Sequence, residues 1–373
     1  MNRIRESNYD LLRIISAIAV ITIHVSSHYI GGIVSPDNFG DFYLEHILTT
    51  CAYNVLSRFA VPCFIMLSGA FILADDRNAD YQYFYRKTFR NVGIPTLVFS
   101  ILYFSYFMVL KVLKMFIKGM EMDEFLNPIK GFIIGKPCYH MWYLYMMIGV
   151  YLLVPVIIAF KKQVGEQKFE KIAWIFLALA SVSFWTSKHI LMWDIGYSFY
   201  FVGYLMVGYI LRKKALFKQD NRKGFMLLSA GILVEVFIIY LRYQQALNRI
   251  SDDELKYTLI APLSPLIVIA SVLIFAGISQ LSIHKNLSWL SSYTFLIYLF
   301  HAGIWDFMRK TVIKYSALSW DNRVVIPVSI IIVFFLSLGC AVIYQSIWKL
   351  LEQKWAVSDR FCRLFDGVCK KIM

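Results

Sequence analysis

Residues 10–30 read DLLRIISAIAVITIHVSSHYI, an apolar run that carries Asp10, Arg13, His24 and His28. A hydrocarbon core about 30 Å thick takes roughly 20 helical residues to cross, so this run spans a bilayer as one α-helix. Such a helix turns about 100° and rises about 1.5 Å per residue. His24 therefore returns to nearly the same face as Arg13, roughly 16 Å further along the axis. Asp10, at i−3 from Arg13, and His28, at i+4 from His24, share that face. An ionisable group turned to lipid costs about 3 kcal/mol, so the stripe points into the protein or a wet cavity and marks a functional site. His24 is the candidate reactive centre.

Composition extends this reading to the whole chain. Its 373 residues are 59% hydrophobic and 17% aromatic, with a mean hydropathy of +0.59. A soluble globule with an ordinary polar surface is excluded. The chain reads as an all-α, polytopic integral membrane protein with about ten transmembrane helices. They fall near 11–30, 47–73, 91–113, 139–160, 172–187, 195–211, 224–241, 259–279, 288–308 and 324–348. The fifth and sixth are short and separated only by SKHILMWD. One transmembrane domain covers 1–350 and a short basic tail covers 351–373, with no loop long enough for a soluble domain. Arg3 and Arg5 precede the first run as in a signal peptide, but no small-x-small cleavage site follows, so it reads as an uncleaved helix.

The formal charge is +14. The Lys and Arg residues lie in short segments between apolar runs rather than on one basic face, which points to membrane lipid and not to nucleic acid. Positive residues are retained on the cytoplasmic side. With the N terminus inside, that side receives Arg86, Lys87 and Arg90, Lys161 and Lys162, the run Arg212, Lys213, Lys214, and the C-terminal tail. The first outer loop, SPDNFGDFYLEH, has acidic residues and neither Lys nor Arg. Both termini are expected in the cytoplasm. The six cysteines show no CxxC pair and sit mostly in or beside apolar runs, as small buried hydrophobes do. The pattern sets no oligomeric state.

A neutral imidazole has a pKa near neutrality, so His24 can take a proton from an alcohol and return it to a leaving group. The plainer role for a membrane histidine is a hydrogen bond to another helix; Arg13 on the same face favours function. The segment YQYFYRKTFRNVGIPTL reads as an inner loop entering helix 3. Its Arg86, Lys87 and Arg90 either form the basic flank of any inner segment or bind phosphates of an anionic cofactor. Pro95 kinks the run that follows or marks its first turn. In SRFAVPCFIMLSGAFIL, Arg58 lies deep enough to need a partner, while Pro62 and the Ser68–Gly69 pair suit bending or close packing.

His140 stands at an outer interface in CYHMWYLYMMIGVYLLVPVI, either as part of an aromatic belt or lining the mouth of a substrate cavity. In SYTFLIYLFHAGIWD, Tyr298 and His301 are i, i+3 neighbours on one face. Glu235 is a further isolated intramembrane charge, a candidate to answer an arginine. No P-loop, dinucleotide fingerprint, GxSxG elbow, HExxH or cysteine metal spacing occurs in the sequence. His24 and His28 have no third ligand at a recognisable spacing, so no metal is expected.

Taken together, these segments resemble the acyltransferase 3 family of integral-membrane acyltransferases, particularly its surface-polysaccharide O-acetyltransferases. The resemblance runs from DLLRIISAIAVITIHVS through VPCFIMLSGAFIL, the basic entry to helix 3 and HMWYLYMMIGVYLLVPVI to YLFH. Arg13 and His24 match the family's helix-1 arginine and histidine at its spacing. The family's RxxR element is here Lys87–Thr88–Phe89–Arg90, with Arg86 just before it. The resemblance implies transfer of an acyl group, usually acetyl, from cytoplasmic acyl-CoA to a hydroxyl of a glycan or its lipid-linked precursor, in a bacterial-type cytoplasmic (inner) membrane. It implies acyl-CoA, acetyl-CoA first, as co-substrate, with Arg86, Lys87 and Arg90 holding its phosphates. Arg13 then orients the donor or stabilises developing negative charge, and His24 acts as general base or as a transient acyl carrier. The other class in view is a transporter or polysaccharide exporter, in which the same histidine relays protons. Inverted repeats would mark that class, and residues 1–185 and 190–373 show no convincing match.

Overall fold

Proline and capping residues decide where the apolar runs break. The computed structural model of the chain describes residues 6–32, 43–118, 122–133, 136–185, 198–217, 219–247, 259–313 and 321–355, and the regular elements among them are all helical. In chain order they are α1 (Ser7–Gly32), α2 (Tyr43–Val55), α3 (Ala60–Ile72), α4 (Tyr81–Thr88), α5 (Ile94–Lys118), α6 (Met122–Ile133), α7 (Trp142–Leu152) and α8 (Val154–Val164). They continue with α9 (Glu166–Trp185), α10 (Val202–Phe217), α11 (Asn221–Leu247), α12 (Pro265–Gln280), α13 (Ser288–Met308) and α14 (Asn322–Trp355). The SKHILMWD connector, Arg3, Arg5, most of the predicted outer loop (33–42) and the tail from 356 lie outside the described residues.

Pro62 has no N–H to give the Arg58 carbonyl one turn back, and the second apolar run divides there into α2 and α3 with Arg58 in the turn between them. Pro95 likewise withholds a donor from Asn91. The chain passes it through a π turn, Phe89–Gly93, in which the Ile94 N–H reaches the Phe89 carbonyl. Past Leu153 and Pro155, α7 and α8 meet at a bend of 43°. Asp80 caps α4, its carboxylate accepting from the N–H groups of Gln82 and Tyr83 at 2.9 and 3.2 Å. The expected inner loop is thus helix and π turn, and Arg86, Lys87 and Arg90 project from ordered backbone.

Among the described residues, five helical stretches are long and apolar enough to cross a membrane: Ser7–Tyr29, Glu45–Ile72, Tyr81–Ile117, Asn221–Gln245 and Asn322–Leu350. The bent pair α7–α8 makes a sixth if it is one span, and α12 is a shorter apolar helix. The helices α9, α10 and α13 coincide with three other expected runs but carry more polar residues: Glu166 to Lys171, Arg212 to Lys214, and the Ser, Tyr, His and Asp of α13. Large apolar side chains stand exposed along α5 and α11, among them Leu113, Phe116, Phe225 and Leu233. Lipid is the solvent that suits such a face, and the chain is a multi-pass membrane protein.

The first helix is central, packing against α2, α3, α12, α13 and α14. The tightest seam joins α3 to α10. A Cβ added at Gly69 would lie 1.8 Å from the Leu205 carbonyl oxygen, and one at Gly208 would lie 2.1 Å from that of Met66. Only hydrogen fits at either place, so the two backbones touch directly. Cys51, Cys63 and Cys138 are buried, as the sequence suggested.

Candidate active site

Three elements far apart in sequence bring three imidazoles together. His24 comes from α1, His301 from α13 and His140 from the turn that leads into α7. The His24 and His301 ring centroids lie 5.2 Å apart at an interplanar angle of 31°, and His140 lies 5.1 Å from His301 at 78°. Aromatic rings close the group: Tyr139 stands 4.8 Å from His24, while Tyr103 and Tyr298 lie 5.1 and 5.3 Å from His140. His140 and His301 are buried, at 1% and 0% exposure.

The hydrogen bonding of this group is incomplete. His301 Nδ1 lies 2.5 Å from the Tyr298 carbonyl oxygen. Because a carbonyl only accepts, Nδ1 must carry the proton, and Nε2 keeps its lone pair. That Nε2 and both nitrogens of His140 are buried with no hydrogen-bond partner among the described residues. The Leu299 carbonyl lies near His140 and accepts from the Tyr103 hydroxyl at 2.7 Å. Each such orphan costs about 1–3 kcal/mol, and a polar occupant of the site would recover that energy. Among the described residues no three His, Cys, Asp or Glu side chains are placed to hold a metal ion.

Arg58 has its partner one turn back. Asn54 Oδ1 accepts from Arg58 Nε at 2.9 Å and also from its Nη2, while Asn54 Nδ2 donates to Ser26 Oγ at 2.9 Å, Ser27 Oγ at 3.0 Å and the Ile23 carbonyl at 3.3 Å. This bracket fixes the half-buried guanidinium against α1 beside His24. His28 does not join the imidazole group. It packs edge-on to Tyr29 and to Trp305 of α13, at 5.5 and 5.9 Å.

The other end of the stripe is fully paired. Asp10, with no exposed surface, accepts from Arg13 at 2.8 Å and from Ser291 Oγ at 2.6 Å, tying α1 to α13. Arg13 also lies over the Phe71 ring at 4.8 Å, whose other guanidinium neighbour is Arg212 at 4.5 Å. Arg212 in turn pairs with Glu6 and donates to the Ala70 carbonyl at 3.1 Å. A cavity of about 260 Å³ begins at Arg13 and extends past Phe71, Ser68 and Tyr151 to Tyr143 and Tyr298. The Tyr298 hydroxyl donates to the His140 carbonyl, so one side chain borders both the cavity and the imidazoles.

The basic turn meets the same cavity. Val92, in the π turn that carries Arg90, lines it. Arg86, Lys87 and Arg90 are exposed beside it, with Lys87 5.5 Å from the Tyr83 ring. The Tyr85 hydroxyl donates to the Leu152 carbonyl at 2.7 Å and pins this turn to α7. Below α4, Arg77 holds the Asp75 carboxyl down to about 2 by hydrogen bonds to both of its oxygens.

Sequence reading missed several participants. Arg212 and the buried Lys161, whose Nζ donates to the Leu73 carbonyl at 2.6 Å, pass in sequence for topological charges. Tyr103 and Tyr139 look like any interfacial aromatics. Glu235 pairs with no arginine among the described residues. Its Oε1 has no hydrogen-bond partner there, and its neighbours are the Phe59 backbone and Cys63.

Comparison with known proteins adds one match. The model of the acyltransferase 3 family, described as an acyltransferase domain, matches residues 6–344. No curated protein and no solved structure matches the chain.

Proposed function

Since the chain belongs to the acyltransferase 3 family and is therefore a membrane acyltransferase, we propose that it moves an acetyl group from cytoplasmic acetyl-CoA to a hydroxyl of a cell-surface glycan or its lipid-linked precursor. The observation that carries this reading is the position of His24. It sits among buried imidazoles at one end of a helix face whose other end, at Arg13, opens on a cavity bordered by an exposed basic turn.

Arg86, Lys87 and Arg90 suit the phosphates of a polyanionic donor, because three exposed cations stand close together, at the end of α4 and in the π turn that follows it. The mostly apolar cavity beyond Val92 suits the donor's narrow pantetheine arm. Arg13 leans back toward Asp10, as helical side chains lean toward the N terminus, and its Cα lies roughly 16 Å from that of His24. Of its two expected roles, orienting the donor is the one this geometry favours. His24 then takes the proton of the acceptor hydroxyl while that oxygen attacks the thioester carbonyl carbon. The C–S bond breaks, and His24 returns the proton to the leaving thiolate.

This reading places both termini in the cytoplasm and the protein, with about ten spans, in a bacterial-type cytoplasmic membrane. The test uses purified protein in nanodiscs with labelled acetyl-CoA and total cell-envelope glycan, comparing wild type with His24→Ala and Arg13→Ala. Label enters glycan with the wild type and fails to enter with either folded variant. Undiminished transfer by His24→Ala would remove His24 from the chemistry. A wild type that consumes no thioester, whether acetyl or longer, would defeat the acyl-CoA reading.

A further inference from the structure

The base proposed above lacks the third group that usually orients one. A general-base histidine works when the nitrogen turned from the substrate donates to an acceptor, which fixes the tautomer and supports the imidazolium that forms. Among the described residues His24 has no hydrogen bond on either ring nitrogen. Asp10, Glu235 and Asp306 are the buried carboxylates. Asp10 is committed to Arg13 and Ser291, Asp306 to Arg309, Lys310 and Tyr106, and Glu235 lies beside Phe59 and Cys63.

One acceptor does stand next to the ring. His301 Nε2 is buried, unpartnered and unprotonated, because its Nδ1–H is held by the Tyr298 carbonyl. Centroids 5.2 Å apart leave, once both ring radii are subtracted, about the 3 Å that an N–H···N bond spans when the two nitrogens are turned toward each other. The interplanar angle of 31° suits an edge-to-edge bond between these rings, whereas His140 meets His301 edge to face at 78°. A rotation of the His24 ring, which no hydrogen bond among the described residues holds back, would close the contact.

We infer that His301 is a positioning residue for His24: its Nε2 accepts the His24 N–H, sets which nitrogen of His24 faces the acceptor hydroxyl, and supports His24 once it is protonated. His301 Nε2 thus takes the place a carboxylate holds in other triads, and the backbone carbonyl of Tyr298 completes the line by holding the His301 Nδ1–H. The inference rests on the acyltransferase reading only for its kinetic consequence, since the hydrogen bond itself can be observed without turnover.

Two replacements at His301 separate the roles of shape and acceptor. His301→Phe keeps the ring volume and removes the acceptor, while His301→Gln offers Oε1 near the place of Nε2. Both are compared with wild type in nanodiscs, using acetyl-CoA and cell-envelope glycan. Loss of an orienting group typically costs about 10- to 100-fold. His301→Phe should lose that much in kcat with the KM for acetyl-CoA unchanged, and His301→Gln should recover most of it. Histidine-¹⁵N NMR of the wild type, assigned with His24→Gln, should show His24 in one fixed tautomer, and His301→Phe should turn it into a mixture. Wild-type kcat in His301→Phe, equal impairment of both variants, or a wild-type His24 already averaging between tautomers would each overturn the inference. If wild type consumes no thioester, the enzyme reading fails separately, and the NMR result still decides the hydrogen bond.

Discussion

Around Arg13 the charges are answered inside the bundle, whereas around His24 three buried imidazole nitrogens have no hydrogen-bond partner among the described residues. One helix face carries both ends. The first end is built as a brace: Asp10 joins α1 to α13, and Arg13 and Arg212 flank the same phenylalanine. The second end retains polar atoms at a cost in stability, which is the pattern of a site kept ready for a polar ligand. The structural brace thus lies at the Arg13 end of α1, and mutations at the two ends should differ in what they cost stability.

The largest effect is expected at the imidazole end. His24→Gln should lower label transfer by about 10²–10⁴-fold, the range of a lost general base. The unfolding midpoint, followed thermally in detergent, should move little, because at most the one bond inferred to His301 is lost, worth about 1 kcal/mol. A drop in both would mean that His24 is part of the brace. At the other end stability is lost as well as transfer. Removing one member of a buried pair costs about 3–5 kcal/mol. The Arg13 side chain is 28% exposed, so Arg13→Met should cost less, about 2–3 kcal/mol. Adding Asp10→Asn should recover part of that loss, and a double-mutant cycle measures how much.

Tyr298 lies where the two ends meet. Tyr298→Phe deprives the His140 carbonyl of its donor and should cost about 1–3 kcal/mol. The group that holds His301 is the Tyr298 backbone, which the substitution leaves in place. Transfer should therefore fall much less than in His24→Gln. An equal fall would assign the Tyr298 hydroxyl a part in the reaction itself.

The stripe on α1 was legible because a helix of known pitch maps spacing onto a face, and Asp10, Arg13, His24 and His28 all obey it. Pro62 and Pro95 announced the breaks for the same local reason. Asp80 is a capping signal for α4, being an aspartate just before the segment, but the basic run after it reads as a loop. The imidazole group was not legible as a group. His24, His140 and His301 are each visible alone, yet only tertiary packing sets their distances. The partner of Arg58 escaped for a different reason: a search for the opposite charge passes over Asn54, a neutral amide one turn away.

The smallest effect tests whether charges outside the bundle matter at all. Asp75 is held at about 2 in the folded protein, mainly by hydrogen bonds from Arg77, against about 3.9 for an unperturbed aspartate. A depressed folded value means that the pair stabilises the fold above pH 4 and that this contribution fades as pH falls toward 2. Across that window the unfolded chain takes up at most one proton more than the folded one at this residue. Arg77 is exposed, so solvent and salt weaken the pair further. The unfolding midpoint of wild type should consequently fall slightly faster between pH 4 and pH 2 than that of Asp75→Asn, and added salt should narrow the gap. Identical slopes at low salt would show that the pair orders the turn before α4 without stabilising the fold, leaving the buried brace at Arg13 as the charge pairing that stability depends on.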